Sequence, residues 1–571
     1  MSSVSPIVEV SALIGTGTEM HRSLRIPEII GLIFSHLNPH VEGDAQALAT
    51  LARTRKAFHD IALDALWRYQ SSIINLLRCM PSDLWEVQPP DITATPPRYR
   101  QTWTPRRAIV RSDCESKNFH RVRSLLSSGT HDLVEVYRSF QAFLQGDSLL
   151  PNLQKLQWYH HFAPELMNIF LGSRINSIHL MGYCGPGLLP TLASRYSTQL
   201  DNVSIRADVT NQEEVGESWV RGEELSLDRL STFVCALTRV KSLHVRSLNV
   251  AAFMHLGHLS TLEILHASLP TSLTFPDIAS RRLFGYLREA KIFIPQGAEI
   301  GLLPLTAFVR TWNTPALESF EATCMFRGSP AGTVKLVEDL YRALASHCSH
   351  NSLQILNFHI SHSVEDAAEF VLPGHSLRLL FLFTRLTVLS LRIDAGFALD
   401  DATVAELVHS WPSLEELQLV SDTHHHPPGN TLLGIRALAE HCPRLHTLEM
   451  TLDATTIPLP TKNPVSQAIH GCLSSLDVAF SSISNASSVA HFLSSIFTSL
   501  KEVKTALEIN DEEDDGDDPS VRLQRGYHKL WKEVEALIPA LVEIQEEEWN
   551  YGYVYAAKHI LPSPDTAVAS S

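Results

Sequence analysis

Beyond residue 150 one pattern recurs: an apolar position, two variable positions, an apolar position, one variable position and a third apolar position. Copies begin at Leu153, Ile175, Leu200, Val240, Leu262, Leu287, Leu317, Leu353, Leu386, Leu414, Leu445, Leu473 and Leu500. The fullest are LTVLSL (Leu386, Leu389, Leu391), LEELQL (Leu414, Leu417, Leu419) and LHTLEM (Leu445, Leu448, Met450). In a chain that is 44% apolar such triplets also arise by chance, so the flanks decide. Pro151, Pro315, Pro412 and Pro443 each stand two residues before a first apolar position, where proline stops a preceding helix. Ahead of several copies runs an apolar stripe at helical spacing: Val337, Leu340, Tyr341 and Leu344; Val404, Leu407, Val408 and Trp411; Val489, Phe492, Leu493, Ile496 and Phe497. Helix, stop and short strand at a period of ~29 residues predict units stacked into a solenoid, each burying its apolar face only against its neighbours. The spacing is irregular between 200 and 240 and from 287 to 386, where insertions or degenerate copies are expected.

The front of the chain follows a different pattern. Ile26, Ile29, Ile30, Ile33, Phe34 and Leu37 share one helical face, Pro27 suits a first helical turn, and Asn38-Pro39 ends the helix. A second helix is predicted through Leu48, Leu51 and Ala52, and a third through Phe58, Ile61, Ala62, Ala65 and Leu66, then Trp67. Three short helices cannot bury all of this surface among themselves, so another protein is expected to cover the remainder. A helical cap on the following domain gives the same periodicity. At the other end Leu523, Tyr527, Leu530, Trp531, Val534, Leu537, Ile538 and Leu541 form a long stripe, expected to cap the last repeat.

The repeat period lies at the upper edge of the leucine-rich-repeat range. The expected fold is α/β: a leucine-rich-repeat solenoid with parallel strands on its concave face and helices outside, preceded by a small all-α three-helix module. The expected order is a disordered tail (1–20), the helical module (21–70), a linker (71–118), the solenoid (119–508), an acidic loop (509–520), a capping helix (521–550) and a tail (551–571). The linker is drawn from the Pro89-Pro90 and Pro96-Pro97 pairs, which indicate an extended connector. In the solenoid, variable positions such as His244, Glu263, Glu415, Gln418, His446 and Glu449 face outward and line the surface available to a partner.

At 571 residues the chain exceeds a single core. Its net charge of -16 opposes a general nucleic-acid footprint, which needs clustered positive charge. The most basic stretch, Arg98 to Arg123, is better accounted for by interdomain packing or a solvated face than by nucleic acid. No uncharged run approaches the ~20 apolar residues of a membrane span, and the N-terminus makes a poor signal peptide, so cytoplasm or nucleus is expected. The eight cysteines are scattered singly, which gives no support for a zinc module and suggests small buried residues in a reducing compartment. Sequons at Asn202 and Asn485 are then chance matches. Phosphate loops, nucleophile elbows and His-Glu-x-x-His motifs do not occur, so no catalytic residue, cofactor or metal is assigned. His424-His425-His426, His160-His161 and the pair His347 and His350 suit solvated or structural histidines better than ligands. The acidic run DEEDDGDD over 511–518 has Arg522 where a calcium loop needs a bidentate Glu.

The front module carries a resemblance. Ile26-Pro27-Glu28-Ile29-Ile30 through Ile33-Phe34 and Leu37 resembles the opening of the F-box, usually Leu-Pro-x-Glu-Ile with Ile-Phe further on. Leu51 to Trp67, LARTRKAFHDIALDALW, resembles its closing half, with Lys56, Phe58 and Leu66-Trp67 in place. The likeness covers 21–70; Ile26 replaces the usual Leu, Arg55 stands where a small Cys is common, and the loop from His40 to Ala47 is long. Phe119-His120-Arg121-Val122-Arg123-Ser124-Leu125 resembles the strand that opens the repeat domain of fungal F-box proteins, and GIRALAEHCPRLHTLEM (434–450) their cysteine-containing repeats, with Cys442 at the helix end. The resemblance implies a non-catalytic substrate-recognition subunit of an Skp–cullin–F-box ubiquitin ligase. It docks on the Skp adaptor, and through it a cullin, while the repeats hold a protein target. Implied adaptor contacts are Pro27, Ile29, Ile30, Ile33, Phe34 and Leu37, with Leu51, Phe58, Leu66 and Trp67 divided between module core and partner contact. The alternative is a leucine-rich-repeat interaction scaffold with no role in degradation.

Overall fold

The computed structural model describes residues 26–505 and 519–559, apart from 40, 92, 94–98, 115–117, 129–130, 161–163, 182–186, 207–226, 271–282, 299–301, 327–332, 363–370, 394–395, 421–427 and 459–470. The expected tail over 1–20, the acidic run over 511–518, His424 to His426 and Cys184 therefore lie outside the described residues.

Two compact units divide the chain, Met1–Ser226 and Leu227–Ser571. The first holds five parallel strands in the spatial order Tyr69–Gln70, Ser124–Ser128, Lys155–Tyr159, Ser177–Met181 and Asn202–Arg206. Ten parallel strands make up the ladder of the second: Ser242–Ser247, Ile264–Ser268, Glu289–Ala298, Ser319–Phe326, Ile355–His362, Val388–Ile393, Glu416–Val420, Thr447–Met450, Ser475–Asp477 and Glu502–Lys504. In both, spatial order follows chain order, as expected when each strand returns through a crossover to lie beside the last.

From Lys155 onward every ladder strand begins two residues after one of the thirteen first apolar positions. The first apolar side chain turns into the core before the strand starts, and the second sits on the strand's inner face, followed two residues on by a third in every copy up to Thr447–Met450. Registers keep these inner residues in one column: Leu356 pairs with Leu389, Leu389 with Leu417, Leu417 with Leu448, Leu448 with Leu476 and Leu476 with Val503, all buried. The irregular stretch from 287 to 386 holds full units, with strands Glu289–Ala298, Ser319–Phe326 and Ile355–His362 and helices Leu302–Arg310 and Thr333–His347 between them. The extra length lies between strands, so the pairing is kept.

The predicted stripes form the helices' buried faces, including Val337, Leu340, Tyr341 and Leu344 in Thr333–His347 and Val404, Leu407 and Val408 in Asp401–Ser410. Local chemistry starts several helices. Asp400, Thr431 and Asn485 are N-caps that accept from Thr403, Leu433 and Ser488 backbone N–H groups at 2.8, 3.1 and 2.9 Å. Asn485, half of a sequon, is occupied in this way. Asp401 links adjacent units, accepting from the backbone N–H groups of Thr431 at 2.7 Å and Gly434 at 3.0 Å. Gly429 is required by close approach, since a Cβ there would stand 2.6 Å from the Leu399 carbonyl oxygen.

Several expectations need correction. The stretch 71–118 is no extended connector. It contains the helix Ile74–Arg78 and an antiparallel pair, Trp85–Gln88 with Gln101–Pro105, and the ladder has already begun at Tyr69. Buried Trp85, packed against Phe140, and buried Trp103 outweigh the composition of the stretch. The C-terminal helix runs Pro519–His559, but its buried stripe is narrower than predicted: Trp531, Val534 and Ile538 are buried, whereas Leu523 and Leu537 are exposed. It packs against the helix Ala486–Ile496 and the last strand, and Trp531 Nε1 donates to the Ser481 carbonyl at 3.0 Å. Of the cysteines, Cys324, Cys348 and Cys442 are buried as expected of small apolar residues, but Cys79, Cys235 and Cys472 are exposed. No described helix is long and apolar enough to cross a membrane.

Candidate docking surface

The front module comprises α1 (Pro27–Ser35), α2 (Glu42–Thr54) and α3 (Lys56–Trp67). Pro27 occupies the first turn of α1. The turn after α1 is tied to α2 by the Asn38 N–H, which donates to Asp44 Oδ2 at 2.9 Å and places a carboxylate near the N-terminus of α2. Arg55, with φ −145° and ψ 142°, is the single extended residue separating α2 from α3.

The three stripes meet in a small core of Ile30, Phe34, Leu48, Ala52 and Ala62, with Leu37, Leu51, Phe58 and Leu66 partly buried around it. Phe34 and Phe58 stack edge to face at 5.9 Å. This sorts the residues implied as adaptor contacts. Ile30 and Phe34, 2% and 6% exposed, build the module's own interior and offer no surface. Leu37, Leu51, Phe58 and Leu66 pack on that interior, Ile29 and Trp67 are half-buried, and Pro27 and Ile33 are exposed.

The module leaves apolar surface open: Leu32 is 65% exposed, Val41 52%, Ile33 47% and Ile26 44%. Ile29, Leu32 and Ile33 stand at i, i+3 and i+4 on α1, so they form one strip beside the stripe that turns inward. Leu32 is not legible from periodicity because it lies off the inward face that carries Ile30, Phe34 and Leu37, and Val41 because it stands ahead of α2 rather than within a helix. A run of four large apolar residues, Ile29-Ile30 and Leu32-Ile33, around one glycine on a helix this short is the signal that could have found Leu32.

Arg121 fastens the module to the start of the ladder. Buried itself, it donates to the Asp60 carboxylate at 2.7 Å, to the Asp60 carbonyl at 3.0 Å and to the Asp64 carboxylate, the two acids lying one turn apart on α3. Arg107 holds Asp83 at 2.9 Å and Asp113 at 2.7 Å. Arg107 and Arg121, from the most basic stretch, are thus engaged in packing rather than presented to a polyanion.

In the second unit the strands turn their variable side chains away from the core. His244 meets His266 edge-on with ring centroids 4.0 Å apart, His266 Nε2 lies 2.7 Å from Glu289 Oε1, and Ser390 donates to Gln418 at 2.7 Å. Gln418 and Glu449 are on strands, whereas Glu263, Glu415 and His446 stand just ahead of theirs. Ser127 Oγ lies 2.8 Å from both His160 Nε2 and Tyr137 Oη, yet Ser127 and His160 are each only 2% exposed, closed to a substrate. Burial pushes the Cys442 and Cys348 thiols up to about 12, far from a nucleophilic thiolate. His347 and His350 face the carbonyls of Trp312 and Ala345 at 3.2 and 2.7 Å. No three His, Cys, Asp or Glu side chains among the described residues are grouped so as to hold a metal ion. The sequence matches no protein-family model and no curated protein.

Proposed function

We propose that this chain is the substrate-recognition subunit of an Skp–cullin–F-box ubiquitin ligase, its front module an F-box and its strand-and-helix array a leucine-rich-repeat solenoid. The observation that carries this is the uncovered apolar strip of α1, borne on a module whose core is otherwise closed. A globular cap would turn that strip inward; a helix-in-groove contact needs it outward. Ile29, Leu32 and Ile33 fill the groove of the Skp adaptor, with Ile26, Pro27 and Val41 at its margins. Ile30 and Phe34 act indirectly, by holding α1 against α3. The chain contributes no reacting group; it raises the local concentration of a target near the ubiquitin-loaded enzyme.

Co-purification with the adaptor tests this. Leu32→Asp with Ile33→Asp places two charges on exposed positions, so the unfolding temperature should hold while adaptor affinity falls about a hundredfold or more. Phe34→Asp is a poor probe because it charges the module core. Wild-type affinity in the double variant would remove the assignment. Ubiquitination of a captured partner, lost in the same variant, separates the ligase subunit from a scaffold.

A further inference from the structure

Four neighbouring strands of the first unit, Ser124–Ser128, Lys155–Tyr159, Ser177–Met181 and Asn202–Arg206, show the ladder's outward face. Their inner residues are buried, and no outward position is Asp or Glu. The outward positions instead include Lys155, His179 and Arg206, one on each of three adjacent strands. Lys155 pairs in register with Ser177, Gln157 with His179, His179 with Ser204, and Met181 with Arg206. From Lys155 to His179 and on to Arg206, each step therefore moves one strand across and two residues along, a diagonal of about 8 Å between backbones.

Lys155 and Arg206 are exposed, and neither forms an ion pair among the described residues. Tyr159 lies against His179, ring to ring at 5.5 Å, adding a half-buried aromatic surface beside the line. Burial, and then the nearby charges of Arg206 and Lys155, hold the His179 imidazole below its ordinary range, so it is neutral near pH 7 and serves as a hydrogen-bonding group between two fixed cations.

This arrangement discriminates between anions. A single phosphate is held by donors converging on one point. Here the groups are strung out in even steps, and an extended chain repeats its same-side residues about every 6.6–6.8 Å. Resting on the reading of the chain as a target-holding adaptor, we propose that this face binds an extended acidic segment of the target protein, whose alternate carboxylates fall on Lys155, His179 and Arg206. Tyr159 packs against the intervening backbone. The chain's overall net charge of -16 makes the local patch selective, because acidic segments are repelled elsewhere.

The test uses full-length protein, a labelled peptide alternating Glu and Ser, and fluorescence anisotropy. The peptide should bind, weaken with added salt, and lose about tenfold or more in affinity to Lys155→Glu with Arg206→Glu. Lys155→Gln with Arg206→Gln should give a smaller loss in the same direction, and both variants should keep the wild-type unfolding temperature, since the sites are exposed. Equal affinity for wild type and the charge-reversed variant overturns the proposal. So does tighter binding of a Ser-rich peptide bearing one phosphoserine, or a self-association of the unliganded chain that charge reversal abolishes. Adaptor co-purification on the same preparations keeps the two readings apart. Peptide binding that fails while the adaptor is retained sinks this inference alone, whereas loss of the adaptor from wild type with the peptide still bound sinks only the docking assignment.

Discussion

Asp113 shows what a single side chain contributes to the stretch that composition marks as a connector. Its nearly buried carboxylate accepts from Arg107 Nη1 at 2.7 Å, Arg107 Nη2 at 2.9 Å and the Val110 N–H at 2.9 Å. Those bonds, the arginine first, hold its pKa down to about 2 against an ordinary value of about 3.9. A depressed acid adds stability in full above the ordinary value and loses it as pH falls through the folded one. Asp113→Asn should therefore lower the unfolding temperature by a few degrees at neutral pH, and the gap to wild type should close between about pH 4 and pH 2. Thermal unfolding followed by circular dichroism across that range checks it; a pH-independent gap would show that the pair does not supply the effect. The basic character of the stretch was visible in sequence. That Arg107 reaches back to Asp83 as well as forward to Asp113 was not, because such pairing depends on where the chain turns.

At the scale of an element, the ladder strand is the unit of stability. Leu417 lies between Leu389 and Leu448 in exact cross-strand register, buried from both sides. Truncation leaves a cavity that neither neighbour can fill without giving up its own register, so Leu417→Ala should destabilise the second unit by ~2–5 kcal/mol. Urea unfolding measures it, and a loss under ~1 kcal/mol would mean that the column relaxes. Strands from Lys155 onward were legible because their triplets are local and recur, several of them flanked by a proline or a helical stripe. Tyr69–Gln70 was not, for a two-residue strand without a triplet owes its existence to the partner Ser124–Leu125. Trp85–Gln88 and Gln101–Pro105 were missed for a related reason: each is short, and Trp85 and Trp103 are buried only once the strands pair and Trp85 meets Phe140, distant in sequence.

At the scale of the whole molecule, a ladder of neighbours has ends that must be closed. In the second unit the C-terminal helix closes one of them through Trp531, Val534 and Ile538. Trp531→Ala should cost ~3–5 kcal/mol. Because each strand touches only its neighbours, the damage should be graded. Hydrogen exchange should quicken first in Glu502–Lys504, next in Ser475–Asp477, and leave Ser242–Ser247 close to wild type. Uniform acceleration along the ladder would show instead that the unit unfolds as one block.

The residues alone determined the strand-and-helix alternation, the start of thirteen strands, the faces of the main helices and the three-helix front, because each rests on spacing within a single element. Tertiary structure decided what spacing cannot: which apolar side chains of a helix are consumed by its own module. Ile30 and Phe34 share a stripe with Ile33, but α3 stands against the first two and leaves the third in the open, together with Leu32. Likewise Lys155, His179 and Arg206 are far apart in the chain, and only the register of three strands draws them into a line. Periodicity reports that a face is apolar or charged; what lies opposite that face is set by the packing of elements distant in sequence.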